Sequence, residues 1–198
     1  MAEASRLLVG VFVGGRGSRM GGVAKGLLKA PDSEATLVQR LLGELAAAAP
    51  DAEVVLVGDA TPYAACGRRA VADAPRGIGP LGGLLGLLLE AEQTEASTVL
   101  ALACDLPRLD AALLARLLDE DVAANALVVP QNGVRNPLVA RYRVATALPA
   151  ARQVMQAGKR SLQAVLDHLA EGVHTLTINA AEAAKLDDWD TPEDVRDR

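Results

Sequence analysis

Leu7-Leu8-Val9-Gly10-Val11-Phe12-Val13 runs without interruption into Gly14-Gly15-Arg16-Gly17-Ser18-Arg19-Met20-Gly21-Gly22-Val23-Ala24-Lys25. The apolar run reads as a buried strand. The loop behind it carries five glycines, two arginines, a serine and a lysine. Glycines let backbone N–H groups approach a polyphosphate closely, and the cationic side chains neutralise it. Between Ala4 and Pro31 there is no Asp or Glu, whereas Arg6, Arg16, Arg19, Lys25 and Lys29 all fall there. In a chain of net charge −5, this basic island points to a bound anion. A strand emptying into a loop is also the usual ligand site of an open α/β sheet. A P-loop is excluded, because Lys25 is followed by Gly26 and Leu27 and not by Ser or Thr. A dinucleotide fingerprint is excluded too, since Gly15-x-Gly17 lacks the third glycine at its spacing.

Outward from this loop, strands and helices alternate. Thr36 to Ala49 reads as a helix with Leu37, Leu41 and Leu45 on one face, ended by Pro50. Glu53 to Val57 and a short segment at Arg69–Ala72 read as strands, Leu81 to Gln93 as an apolar helix, and Thr98 to Ala103 as the central strand. Asp110 to Leu118 is a helix capped by Asp110; Ala126 to Val129 is a strand that turns at Gln131-Asn132-Gly133 into a partner near Leu138–Ala140. Ser161 to Ala170 is a helix, His174 to Ile178 a last strand, and Thr191-Pro192 opens a short terminal helix. The expected fold class is α/β: a mostly parallel sheet with helices on both faces and one antiparallel intrusion. The 198 residues suit a single domain over 1–198.

Composition narrows the function. The chain is 51% apolar with a mean hydropathy of +0.20, yet no run approaches the ~18–20 residues that span a bilayer. The N-terminal residues lack the pattern of a signal peptide, and two cysteines, Cys66 and Cys104, are too few for a disulfide framework or a Cys-based zinc site. A cytoplasmic enzyme with no membrane partner is expected. One Phe, two Tyr and one Trp offer little surface for stacking bases, which with the negative charge argues against nucleic-acid binding.

The glycine loop resembles the nucleotidyltransferase signature L-A-G-G-x-G-x-R-M-G-x-x-K in the form carried by molybdenum cofactor guanylyltransferases. Phe12-Val13 stands where that family has Leu-Ala, and the lysine follows a doubled glycine at the same spacing. The resemblance covers essentially the whole chain. It implies the Rossmann-like nucleotide-diphospho-sugar transferase fold, with GTP, Mg²⁺ and a molybdopterin-type phosphorylated acceptor as ligands. Molybdoenzymes or other proteins of the cofactor's pathway are the partners it implies.

Five further segments take meaning from their order. Ala103-Cys104-Asp105-Leu106-Pro107 ends the central strand, and its proline brings the Asp105 carboxylate out at the carboxyl edge of the sheet, near Gly14. Mg²⁺ commonly takes one or two protein carboxylates there, and the segment is similar to the family's metal-binding C-D-x-P. Asp73 precedes Gly79-Pro80-Leu81-Gly82-Gly83, in which Pro80 suits the first turn of a helix whose N-terminus attracts anions or polar groups. The resemblance assigns base and ribose to this element. Arg135-Asn136-Pro137 and Gly158-Lys159-Arg160 match positions where the family meets its acceptor, with Asn136 in place of the usual His. Asp187-Asp188-Trp189-Asp190-Thr191-Pro192 aligns with N-x-N-T-P, so Asp188 or Asp190 is a candidate second carboxylate for the metal.

The nucleotide site expected from these readings comprises Phe12, Val13, Gly14, Gly15, Gly17, Arg19, Lys25, Asp73, Gly79, Gly82 and Asp105. Arg19, Lys25 and Asp105 are its catalytic members, the two cations on the triphosphate. Arg135, Asn136 and Arg160 are expected at the acceptor, and His168 and His174 are read as structural. Gly14-Gly15 matches the guanylyl-transferring form L-A-G-G, with room at Gly14 for a purine. Two alternatives stay open: a cytidylyltransferase or other nucleotidyltransferase with a different phosphorylated acceptor, and a non-catalytic GTP-binding regulator.

Overall fold

A computed structural model describes residues 6–14, 24–31, 33–120 and 124–189. Seven strands form one sheet in the order β3-β2-β1-β4-β6-β5-β7: β1 Leu7–Phe12, β2 Glu53–Val57, β3 Ala70–Val71, β4 Thr98–Ala103, β5 Ala126–Gln131, β6 Val134–Arg143 and β7 Val173–Thr175. All pairings are parallel except those of β6, which runs against both β4 and β5. The antiparallel intrusion is therefore this one strand, inserted through the turn at Asn132-Gly133. Both turn residues have positive φ, as a tight hairpin requires.

Helices α1 (Leu37–Ala48) and α3 (Ala111–Asp119) cover one face of the sheet. Helices α2 (Pro80–Gln93), α4 (Val144–Gln156) and α5 (Leu162–Leu169) cover the other, and a short α6 (Ala180–Ala183) follows β7. With both faces covered, β1 and β4 are apolar along almost their whole length, as buried parallel strands are. Caps set the helix starts: Thr36 and Gln39 form a reciprocal capping box, Asp110 accepts from Leu113 N–H, and Ser161 accepts from Ala164 N–H.

The elements expected within the described residues are present, with altered ends. The strand expected at His174–Ile178 is Val173–Thr175, and β6 extends well beyond Leu138–Ala140. Helix α4 was not expected, because it contains Pro149, which has no N–H to offer the preceding turn. Burial of Val144, Ala147, Leu148, Ala151 and Val154 against α2 and α5 outweighs that loss. The helix expected from Thr191 lies outside the described residues.

Helix α2 lies very close to the sheet. A β-carbon at Gly83 would come within 2.8 Å of the Phe12 ring, and one at Gly86 within 2.2 Å of the Ala72 carbonyl oxygen. The glycines along α2 therefore set how near its first turn stands to the ends of β1 and β2.

Candidate functional site

Phe12 pairs with Val57 on one side and Ala103 on the other, so β1, β2 and β4 end at one level. The chain winds outward from β1 through β2 to β3, then returns to place β4 on the opposite side of β1. A crevice opens at such a reversal of strand order. Here it is a cavity of about 1150 Å³. Its floor includes Phe12, Val13 and Gly14; Lys25 and Asp105 line it, as do Asp73, Gly79 and Pro80 on the α2 side.

At one side of the cavity, Lys25 Nζ donates to Asp105 Oδ2 at 3.0 Å across 80 residues of sequence. Both side chains are mostly buried, at 19% and 20% exposure. Lys25 opens a single 3-10 turn, Lys25–Leu27, while Asp105 stands just beyond the end of β4. The preceding residue, Cys104, is buried, and burial pushes its thiol up to about 12. It is a packed neutral thiol and not a nucleophile.

At the α2 side, Asp73 follows β3 and its carboxyl is held above the ordinary range, chiefly by burial, with Arg76 opposing. Asp59, beyond the end of β2, lies below the ordinary range because Thr61 hydrogen-bonds to it. Gly79 has φ +74° and caps α2, whose first residue is Pro80. The amino end of α2 thus faces the cavity with its partial positive charge.

Gly82 occupies a different place from its expected partners. Its N–H bonds Gly79 O and its carbonyl accepts from Ala74 N–H, while a β-carbon there would meet Pro75 O at 2.5 Å. Gly82 seats the Asp73–Gly79 loop on α2, and Gly83 is the glycine that lines the cavity. Gly14 also has a role that sequence reasoning missed. A β-carbon on it would point at Gly58 Cα, 3.3 Å away, and the converse contact from Gly58 is 2.8 Å. The two backbones pack directly on each other where β1 and β2 end, so the room at Gly14 is shared with Gly58. The signal was Gly58 itself, the glycine that directly follows the Glu53–Val57 strand.

Two of the three candidate acceptor residues, Arg135 and Asn136, are engaged within the fold. Arg135 pairs with Asp167 of α5 at 2.5 Å. Asn136 donates to Gln131 Oε1 at 2.6 Å and accepts from Leu138 N–H at 2.9 Å, beside an irregularity in the β5–β6 register. Arg160 is exposed between α4 and α5. None of the three lines the cavity, although Leu138, two residues past Asn136, does. His168 and His174 stand in α5 and β7.

The C-terminal segment returns to the site. Trp189 N–H donates to Asp105 O at 3.0 Å, and its ring, 3% exposed, packs with Ala30 and Leu37. Gln131 Nε2 donates to Leu186 O at 2.6 Å and to Asp188 Oδ1 at 3.4 Å. Asp188 is thus brought beside the Asp105 strand end. Gly15, Gly17, Arg19 and Asp190 lie outside the described residues.

Residues 9–173 match the model of the MobA-like NTP transferase domain. The chain belongs to that family. It is 35% identical to a molybdenum cofactor guanylyltransferase of Pseudomonas putida, with 94% of each chain covered. It is 32% identical to a probable molybdenum cofactor guanylyltransferase of Chloroflexus aggregans, over 94% of this chain and 90% of the relative. Among solved structures it is similar to molybdopterin-guanine dinucleotide biosynthesis protein A from Archaeoglobus fulgidus, at TM-score 0.72 and 20% identity over 95% of this chain and 94% of that one. A nucleotidyl transferase from Methanothermobacter gives TM-score 0.74 at 19% identity, over 98% and 95%. The resemblance read from the glycine loop and the expected fold class both hold. The protein is a nucleotidyltransferase of this family. Among the described residues no helix is long and apolar enough to cross a membrane.

Proposed function

We propose that this protein, acting as one domain, transfers GMP from GTP to the phosphate of molybdenum-bearing molybdopterin and releases pyrophosphate. The observation that carries the reading is the Lys25–Asp105 pair in the crevice at the ends of β1 and β4, in a chain whose relatives are named guanylyltransferases. The acceptor phosphate is the nucleophile: one of its oxygens bonds to the α-phosphorus of GTP, and the bond to the pyrophosphate oxygen breaks. That phosphate is ionised at neutral pH, so the step needs no general base.

The chain's own residues position and neutralise. The glycine-rich segment after β1 is assigned to the triphosphate, with Lys25 and Arg19 as the cations that neutralise it. Nucleotide binding draws Lys25 from Asp105 toward the α-phosphate, where negative charge builds as the bonds exchange. The α2 amino end and Asp73 hold the base and ribose side. In-line placement and charge neutralisation then do the work, as is general for phosphoryl transfer.

The donor set suits a divalent ion of the Mg²⁺ kind. Among the described residues no three His, Cys, Asp or Glu side chains form a closed metal cage. An ion that takes one or two carboxylates and completes its shell with phosphate oxygens and water fits Asp105, with Asp188 or Asp190 as the candidate second carboxylate. Bound there, it supplies further neutralisation of the phosphate oxygens. Arg135, Asn136 and Arg160 are assigned to the acceptor side, and the reaction to the cytoplasm.

Pyrophosphate release from GTP, measured with a divalent metal and a molybdopterin-loaded acceptor, tests the reading. GTP-dependent release that CTP and ATP compete for poorly is expected. Equal or better use of CTP overturns the guanylyl assignment, and tight GTP binding without release makes the protein a binder only.

A further inference from the structure

Tyr63 touches the chain neighbour of each member of the Lys25–Asp105 pair. It lies in the 3-10 turn Thr61–Cys66 and is 2% exposed. Its hydroxyl accepts the Gly26 N–H at 3.2 Å, next to Lys25, and its phenol contacts the Cys104 thiol, next to Asp105. Gly26 has no room for a side chain: a β-carbon there would stand 2.8 Å from Tyr63 Cε1, 3.1 Å from its hydroxyl and 3.3 Å from Cys104 Sγ. One buried side chain therefore fills the angle between the lysine turn and the end of β4.

We propose that Tyr63 is a positioning residue, a clamp that sets where Lys25 stands relative to Asp105. This rests on the assignment of those two residues to the reacting phosphates. The Lys25 turn has no side-chain cap at its start. The Gly26–Tyr63 bond ties it to the loop beyond β2, and the Cys104 contact ties that loop to β4. Burial holds the Tyr63 hydroxyl well above the ordinary phenol range, so it stays neutral and keeps both contacts at any working pH. The clamp fixes the backbone beneath Lys25.

The test compares wild type with Tyr63→Phe and Tyr142→Phe. Tyr142 is an equally buried tyrosine whose hydroxyl donates to Pro137 O at 2.8 Å on the opposite side of β4. Lys25 acetylation by a small amine reagent is followed by peptide mass spectrometry, with exposed Lys159 as the internal reference, alongside kcat and nucleotide KM. In Tyr63→Phe, Lys25 is expected to react several-fold faster than in wild type. Its kcat falls roughly tenfold to a hundredfold, with KM little changed, as misplacement of a charge-stabilising group does. Tyr142→Phe loses comparable thermal stability with Lys25 reactivity unchanged. Wild-type Lys25 reactivity in Tyr63→Phe overturns the clamp, whatever the turnover. If wild type releases no pyrophosphate, the functional reading fails, while the acetylation rates still decide the clamp. Gly26→Ala probes the same contact from the other side, and unchanged Lys25 reactivity there overturns it equally.

Discussion

At the scale of single residues, the site rests on charges held short of full solvation. Lys25→Ala should leave the fold intact, because its partner Asp105 keeps some access to water. Loss of one preorganised charge contact costs on the order of 10²–10³ in rate, so kcat should fall by that factor. Saturating steady-state kinetics check it, and an unchanged kcat removes Lys25 from the chemistry. Asp73 makes the opposite trade. Its raised pKa means that the folded state penalises the ionised carboxylate. Stability is therefore lost as pH rises from the unfolded value through the folded one. Asp73→Asn should accordingly melt slightly higher than wild type at pH 7, with the difference vanishing in acid, while its nucleotide affinity falls. Melting curves across that range decide, and a variant less stable than wild type at pH 7 contradicts it.

At the scale of elements, two features hold the catalytic edge. One is the close seat of α2, where Gly86→Ala would drive a methyl into the Ala72 carbonyl. A backbone obstacle cannot turn aside, so destabilisation of roughly 1–3 kcal/mol is expected, read by denaturant titration. The other is the C-terminal strap. The Trp189 ring packs with Ala30 and Leu37, and the Trp189 backbone N–H bonds the Asp105 carbonyl. Trp189→Ala should cost about 3–5 kcal/mol, as buried Trp→Ala changes do, and weaken the metal dependence of nucleotide binding. Trp189→Phe should restore most of both, because the indole N–H has no acceptor among the described residues. Titrating nucleotide with and without divalent metal separates a strap that aligns Asp105 from one that only fills space.

At the scale of the molecule, the reversal of strand order puts a large crevice at the end of a two-layered core. Ligand binding across it links the loops beyond β1, β2 and β4 to the start of α2. GTP with divalent metal at a hundredfold its Kd should stabilise the protein by about 2.7 kcal/mol. For a chain of this size that corresponds to a rise of roughly 5–10 °C in Tm. CTP and ATP at the same concentration should give clearly smaller shifts. Equal shifts for all three would mean that the crevice reads phosphates and not the base.

The sequence alone determined what local pattern and chain order control. The apolar run before a glycine-rich basic loop, the Cys104-Asp105-Leu106-Pro107 strand end and the Gly79-Pro80 helix start were legible because each is written in neighbouring residues. Their order sufficed for the α/β class and the family resemblance. Tertiary structure decided what depends on contacts between distant segments. Nothing near Lys25 says that it meets Asp105, that Tyr63 stands beside both their neighbours, or that Trp189 reaches the Asp105 carbonyl. Gly14 read as room for a base until the sheet set Gly58 against it. Helix α4 was hidden by Pro149, whose local penalty is outweighed only by a face buried on α2 and α5. Short-range propensity is a property of the chain, whereas close approach and burial exist only once the layers have packed.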